Sequence, residues 1–337
     1  MSKTPTLSLP WKVKLQFSLF HFISDHALQP DGSIIRFLAN LLDRHAPPST
    51  KSKSSVTTRD VTIDSSRKLW FRLFVPTETS SEVRSIPVFV FFHGGGFVLM
   101  SAAATNYNTF CREMAHRCNV VVVSVNYRLA PEHKFPSQYD DGFEVLMFID
   151  KSHNNMSIWP KKADFNRCFL VGDSAGGNIA HHLTVRVCQA EQKFQHVNII
   201  GLIPIQPFFG GLDRVGSETR LEGTPVVSVS RTDKFWKAFL SKGQDRDHWA
   251  VNVDGPNAVD LSGLDLPPVV LFVGGFDALR DWQLRYYQWL QKSGKEVVLV
   301  DIPTACHGFY SFLELPETDT LLKEIKDFME KQCSSST

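Results

Sequence analysis

Apolar residues along this chain fall into two spacings. Short unbroken runs rich in β-branched and aromatic residues occur at Val56 to Ile63, Leu69 to Val75, Val88 to Phe92 and Val120 to Val125. Four more follow at Cys168 to Gly172, Ile199 to Ile205, Val269 to Val273 and Val297 to Ile302. Runs of this length with little polar alternation are the pattern of strands covered on both faces, as in a parallel sheet. Between them the spacing turns helical. Tyr107, Phe110, Cys111, Met114 and Ala115 share one face of a helix ending near Asn119. Further helices are predicted around 139–151, 175–190, 232–242, 281–292 and 318–331. This alternation predicts an α/β fold with a mostly parallel central sheet flanked by helices.

Three stretches stand outside that alternation. Leu15, Leu19, Phe22, Ile23 and His26 recur at helical spacing, which predicts an amphipathic helix that docks this face on the main domain. The run is too short and too interrupted by Gln16, Ser18 and His21 to span a bilayer. If it did not dock, it would touch a membrane surface. Residues 46–55, rich in Pro, Ser and Lys, read as a surface linker. Residues 207–267 are too long for a simple loop and predict a cap inserted over the sheet. The expected organisation is therefore an N-terminal helical segment and linker over 1–55, a main domain over 56–331 with its cap, and a frayed tail over 332–337.

Composition narrows the function classes. The 36 basic and 35 acidic residues leave a formal charge of +1, which gives no general attraction to nucleic acid. Six cysteines without a C-x-x-C predict free thiols and a reducing, cytoplasmic (or cytoplasmic and nuclear) location, with no metal site. A protein with no transmembrane segment that acts on a small molecule remains.

The chemistry gathers at the ends of the predicted strands. Gly172-Asp173-Ser174-Ala175-Gly176 is the only G-x-S-x-G in the chain, and it lies between a strand and a helix. That setting is a nucleophile elbow, with Ser174 as nucleophile. The pentapeptide lacks the Lys-Ser/Thr of a P-loop and the first G-x-G of a dinucleotide fingerprint. His93-Gly94-Gly95-Gly96-Phe97 follows the strand ending at Phe92. Its glycines allow backbone N–H groups to converge, so Gly95, Gly96 and Ala175 are the candidate oxyanion donors, with His93 and Gly94 supporting the loop. Among the twelve histidines, His307 follows a late strand and precedes a glycine, so it is the candidate base. Asp277 after Val273 is the candidate acid, and Asp281 its rival, better placed in the first turn of a helix. The order Ser174, Asp277, His307 is that of α/β hydrolases, and the mechanism it predicts needs no cofactor.

These residues carry a resemblance. With Asn126-Tyr127-Arg128-Leu129-Ala130-Pro131-Glu132, Tyr139-Asp140-Asp141-Gly142, Gly275-Phe276-Asp277 and His307-Gly308-Phe309, the chain resembles the plant carboxylesterase family. This family belongs to the hormone-sensitive-lipase-like α/β hydrolases and is related to the gibberellin receptors. The resemblance implies an N-terminal lid, a cap and hydrolysis of small-molecule carboxylic esters through Ser174, Asp277 and His307. It implies structural roles for residues 126–132. It also brings alternatives: a gibberellin-receptor-like hormone binder, against which His307 counts, and a non-hydrolytic lyase or cyclase.

Overall fold

The computed structural model describes residues 7–77, 85–190 and 194–335. Eight strands form one sheet among them: β1 (Val56–Asp64), β2 (Leu69–Pro76), β3 (Ile86–Phe92), β4 (Val121–Asn126), β5 (Ala163–Asp173), β6 (Ile199–Ile205), β7 (Val269–Phe276) and β8 (Val297–Cys306). Their order is β1-β2-β4-β3-β5-β6-β7-β8. β2 pairs antiparallel with both β1 and β4, and every other pairing is parallel. Each apolar run is thus a strand, lengthened at one or both ends where its bounds differ, except that β4 also starts one residue later than predicted, at Val121.

The helices are α1 (Trp11–Ala27), α2 (Arg36–Ala39), α3 (Thr105–Cys118), α4 (Ser137–Ser152), α5 (Ala175–Gln189), α6 (Gly216–Arg220), α7 (Val229–Phe239), α8 (Arg280–Lys292) and α9 (Pro316–Ser335). α3 ends where Asn119 turns left-handed at φ 52°, a conformation asparagine tolerates better than most residues. The last helix continues through Cys333 to Ser335, beyond the predicted end at 331; Ser336 and Thr337 of the expected tail lie outside the described residues.

Side chains along β3 show why the sheet needs cover on both sides. Val88, Val90 and Phe92 enter one apolar core with residues of α4, α5 and α8, while Phe89 and Phe91 enter the opposite core with residues of α3 and α9. Because side chains alternate across a strand, an unbroken apolar run requires two cores. This central strand and β5 beside it end at the same edge, and that edge carries the site. α6 and α7 lie in the long connection between β6 and β7.

α1 departs from expectation. It docks on the main body, but through Val13, Phe17, Ile23 and Ala27, with Phe17 set edge-on against Phe312 at 4.9 Å between ring centroids. Leu15, Leu19, Phe22 and His26 face outward, so of the predicted face only Ile23 is buried. The helix is apolar on two sides, and periodicity alone does not say which side meets the core.

Candidate active site

β5 stops at Asp173 and α5 starts at Ala175, so Ser174 alone makes the turn, at φ 50° and ψ −118°. A left-handed conformation at a non-glycine residue is strained and persists only when its surroundings impose it. Here the Ser174 N–H donates to the Ile205 carbonyl at 2.9 Å, and the Ser174 carbonyl accepts from Phe208 N–H at 2.8 Å. The elbow is also pressed against the end of β3. A Cβ on Gly176 would lie 1.9 Å from the Phe92 carbonyl oxygen, so only glycine fits there.

Three side chains from three strand ends meet at this turn. His307, just past β8, has Nε2 3.0 Å from Ser174 Oγ and Nδ1 2.8 Å from Asp277 Oδ2. Asp277, just past β7, is fully buried; its Oδ1 accepts from Leu279 N–H at 2.9 Å and its Oδ2 from Gln283 Nε2 at 2.9 Å. Nδ1 faces a carboxylate, which makes it the protonated nitrogen and leaves Nε2 as an acceptor facing the Ser174 hydroxyl. Gln206 brackets the His307 loop, donating from Nε2 to the Cys306 carbonyl and accepting on Oε1 from Gly308 N–H. The rival Asp281 lies in the first turn of α8 and accepts from Ser217 N–H at 2.7 Å instead. His181 and His182 of α5 pair with the Tyr286 hydroxyl and the Ala250 carbonyl.

Gly95 and Gly96 turn at φ 103° and 62° between the end of β3 and a short turn in which the Gly95 carbonyl accepts from Val98 and Leu99 N–H. The N–H groups of Gly95, Gly96 and Ala175 have no acceptor among the described residues. His93 is buried and stacked on Tyr127, with ring centroids 4.3 Å apart. Burial pushes its imidazole down to about 4, so it is neutral, and its carbonyl accepts from the Tyr127 hydroxyl.

The residue that sequence reasoning missed is Asp173. Its Oδ1 accepts from Gly94 N–H at 2.9 Å, and its Oδ2 accepts from the hydroxyls of Tyr107 at 2.8 Å and Tyr310 at 2.7 Å. One carboxyl therefore joins the glycine loop, the serine elbow and the segment after His307. Burial raises its pKa to about 6, against the opposing pull of the tyrosine hydroxyl bonds. The only signal in the sequence was adjacency to Ser174, since Tyr107 and Tyr310 are 66 and 137 residues away.

Ser174 and His307 open onto a cavity of about 620 Å3. Phe208 and Phe235 form part of its wall, and Phe17, Leu19 and Phe20 of α1 another part, with Leu41 and Arg44 beyond α2. Phe22 of α1 is exposed and Phe209 lies in the core, so neither belongs to this wall. Two ion pairs hold the N-terminal segment down. Asp25 meets Arg231 through paired hydrogen bonds of 3.0 and 2.9 Å, and Arg36 meets Glu132. Arg128 has a structural partner, donating to buried Asp141 at 2.7–3.0 Å.

The sequence matches the α/β-hydrolase fold family over residues 89–311, which contain Ser174, Asp277 and His307. The chain belongs to that family. A carboxylesterase family also matches, over residues 45–132. A gibberellin receptor of Arabidopsis thaliana is 39% identical, covering 90% of this chain and 90% of its own. Carboxylesterase 20 of the same plant is 35% identical over 89% of this chain and 93% of its own. A 3-O-acetylpapaveroxine carboxylesterase of Papaver somniferum is 34% identical over 81% and 90%. Among solved structures, an esterase of Pyrobaculum calidifontis superposes with TM-score 0.71 and 25% identity over 100% of this chain and 97% of its own. The α/β-hydrolase fold explains why the site sits where it does: all its groups come from segments just past the carboxyl ends of parallel strands, where open α/β sheets leave a crevice. No group of three or more His, Cys, Asp or Glu side chains among the described residues is arranged to hold a metal ion.

Proposed function

We propose that the protein is a serine carboxylesterase that hydrolyses small-molecule carboxylic esters through an acyl-enzyme. The observation that carries this reading is the hydrogen-bonded chain from buried Asp277 through His307 to Ser174 at the floor of a largely apolar cavity. His307 Nε2 takes the hydroxyl proton as Ser174 Oγ attacks the ester carbonyl carbon. The carbonyl oxygen becomes an oxyanion held by the Gly95, Gly96 and Ala175 N–H groups, and Asp277 stabilises the imidazolium. Collapse expels the alcohol, which takes the proton from His307. A water molecule, deprotonated by the same nitrogen, then attacks the acyl-enzyme, and the acid leaves as Ser174 regains its proton. No metal or organic cofactor enters this sequence. Residues 11–45 act as a lid over the cavity and residues 207–267 as a cap. The six cysteines, present as free thiols, support a reducing, cytoplasmic setting.

Ser174→Ala tests the reading. Steady-state hydrolysis of p-nitrophenyl butyrate is expected to fall by about 10⁴-fold or more, as when a triad nucleophile is removed. Turnover equal to that of the parent protein refutes the assignment. One observation favours a second reading: side chains of α1 form part of the cavity wall, as a ligand-trapping lid would, and the relatives include gibberellin receptors. Equilibrium binding of a gibberellin, with no turnover of p-nitrophenyl esters from acetate to laurate, would select that reading.

A further inference from the structure

We propose that the outer face of α1 and the α2 turn seats this protein on a phospholipid surface containing anionic lipid, and that the cavity draws its ester from that surface. α1 has two apolar faces. One packs on the body through Val13, Phe17, Ile23 and Ala27. At about 100° per residue, Trp11, Leu15, Leu19 and Phe22 fall within an arc of about 80° on the opposite side. Trp11 is 70% exposed, Leu15 61% and Phe22 64%, and Phe37 of α2 is 75% exposed. Of the ten large apolar side chains exposed among the described residues, seven lie between Trp11 and Leu41. Scattered exposed apolar residues are ordinary, whereas this concentration marks a surface that meets something apolar.

Two features identify the occupant. The first is charge. Lys12 and Lys14 fall on either side of the stripe and make no ion pair among the described residues, while Asp25, the acidic residue of α1, is paired with Arg231. An apolar stripe edged by lysines and headed by a tryptophan is the pattern of a helix lying in a lipid headgroup layer. The second is continuity with the cavity. Leu19 and Leu41 are 56% and 50% exposed, and both also line the cavity that holds Ser174. The same residues therefore border the outer surface and the way in. A protein docked there would stand over the entrance, whereas a lipid layer is a reservoir of apolar esters. Lipid binding rests on the surface alone; delivery of ester rests also on the hydrolytic reading.

Co-sedimentation of the full chain with vesicles of phosphatidylcholine, and of phosphatidylcholine with one-third phosphatidylserine, tests this inference. The double variant Leu15→Glu/Phe22→Glu changes two residues that do not line the cavity. The parent protein is expected to sediment with vesicles, more strongly with those containing phosphatidylserine, and the variant to bind about tenfold or more weakly. Hydrolysis of water-soluble p-nitrophenyl acetate is expected to stay within about twofold of the parent, which shows that fold and site are intact, while hydrolysis of a vesicle-borne long-chain ester falls with binding. The proposal is overturned if the parent protein stays in the supernatant with both vesicles, or if the variant sediments as the parent does. Equal binding to the two vesicle types overturns the part given to Lys12 and Lys14. A dimer in lipid-free buffer that the variant dissolves assigns the face to a second copy of the chain. If neither protein hydrolyses acetate, the hydrolytic reading fails and sedimentation still judges the surface.

Discussion

Asp173 touches three parts of the site through one carboxyl, so its charge and its anchoring are separable by substitution. Asp173→Ala leaves the Gly94 N–H and two buried tyrosine hydroxyls without that acceptor. We expect kcat to fall about 10²-fold with KM little changed, because the glycine loop that carries the proposed oxyanion donors loses its tether. Asp173→Asn keeps the anchor and removes the charge, and is expected to retain most activity. The pKa of about 6 against 3.8 makes the ionised form costly in the folded state, by roughly 3 kcal/mol at neutral pH. Between pH 4 and 6 the folded protein holds a proton that the unfolded chain has released. This residue's contribution to stability is therefore present below pH 4 and lost as pH rises through 6. Urea unfolding is expected to find Asp173→Asn more stable than the parent at pH 7, with the difference vanishing near pH 4. A difference that does not change with pH contradicts this account. The hub was illegible in sequence because its partners are far apart along the chain, whereas Ser174, Asp277 and His307 were legible because each follows an apolar run and neighbours a glycine or a strand end.

α1 is held by contacts that titrate and contacts that do not. His21 Nε2 accepts from Val226 N–H at 2.7 Å, which requires a neutral ring. Burial lowers its pKa below 6.5, and the Arg231 guanidinium lowers it further, against the opposing pull of Asp25. The unfolded or undocked ring binds a proton more readily, so docking is stable above about pH 6.5 and weakens as pH falls below it. We expect protease cleavage within residues 11–45 to speed up at pH 5 relative to pH 7.5, and His21→Gln, which keeps an acceptor that does not titrate, to flatten that dependence. Asp25→Ala leaves buried Arg231 without its carboxylate and should speed cleavage at both pH values. Periodicity was sufficient to find α1 as a helix. It misassigned the docked face because both sides of the helix carry apolar residues, and the outward one is the more regular.

For the molecule as a whole, the sheet follows from chemistry that the sequence displays openly. An unbroken run such as Val88 to Phe92 can be stable only with cover on both faces, and the alternating runs and helices admit few other arrangements. The enclosure of the cavity was less legible, because it depends on which side of α1 faces inward and on how α7 meets it. Occupation of that cavity should stabilise the fold: a covalent phosphonate at Ser174 is expected to raise the melting temperature by several degrees and to slow cleavage within residues 11–45. Unchanged melting and cleavage would show that the cavity and its cover are not coupled. In the proposed mechanism Ser174 is an activated nucleophile, which intact-mass measurement and peptide mapping after treatment with a fluorophosphonate probe put to the test. A single adduct on Ser174 is expected, absent in Ser174→Ala and much slower to form in His307→Ala. No adduct on the parent protein, or an adduct that persists in Ser174→Ala, would contradict it.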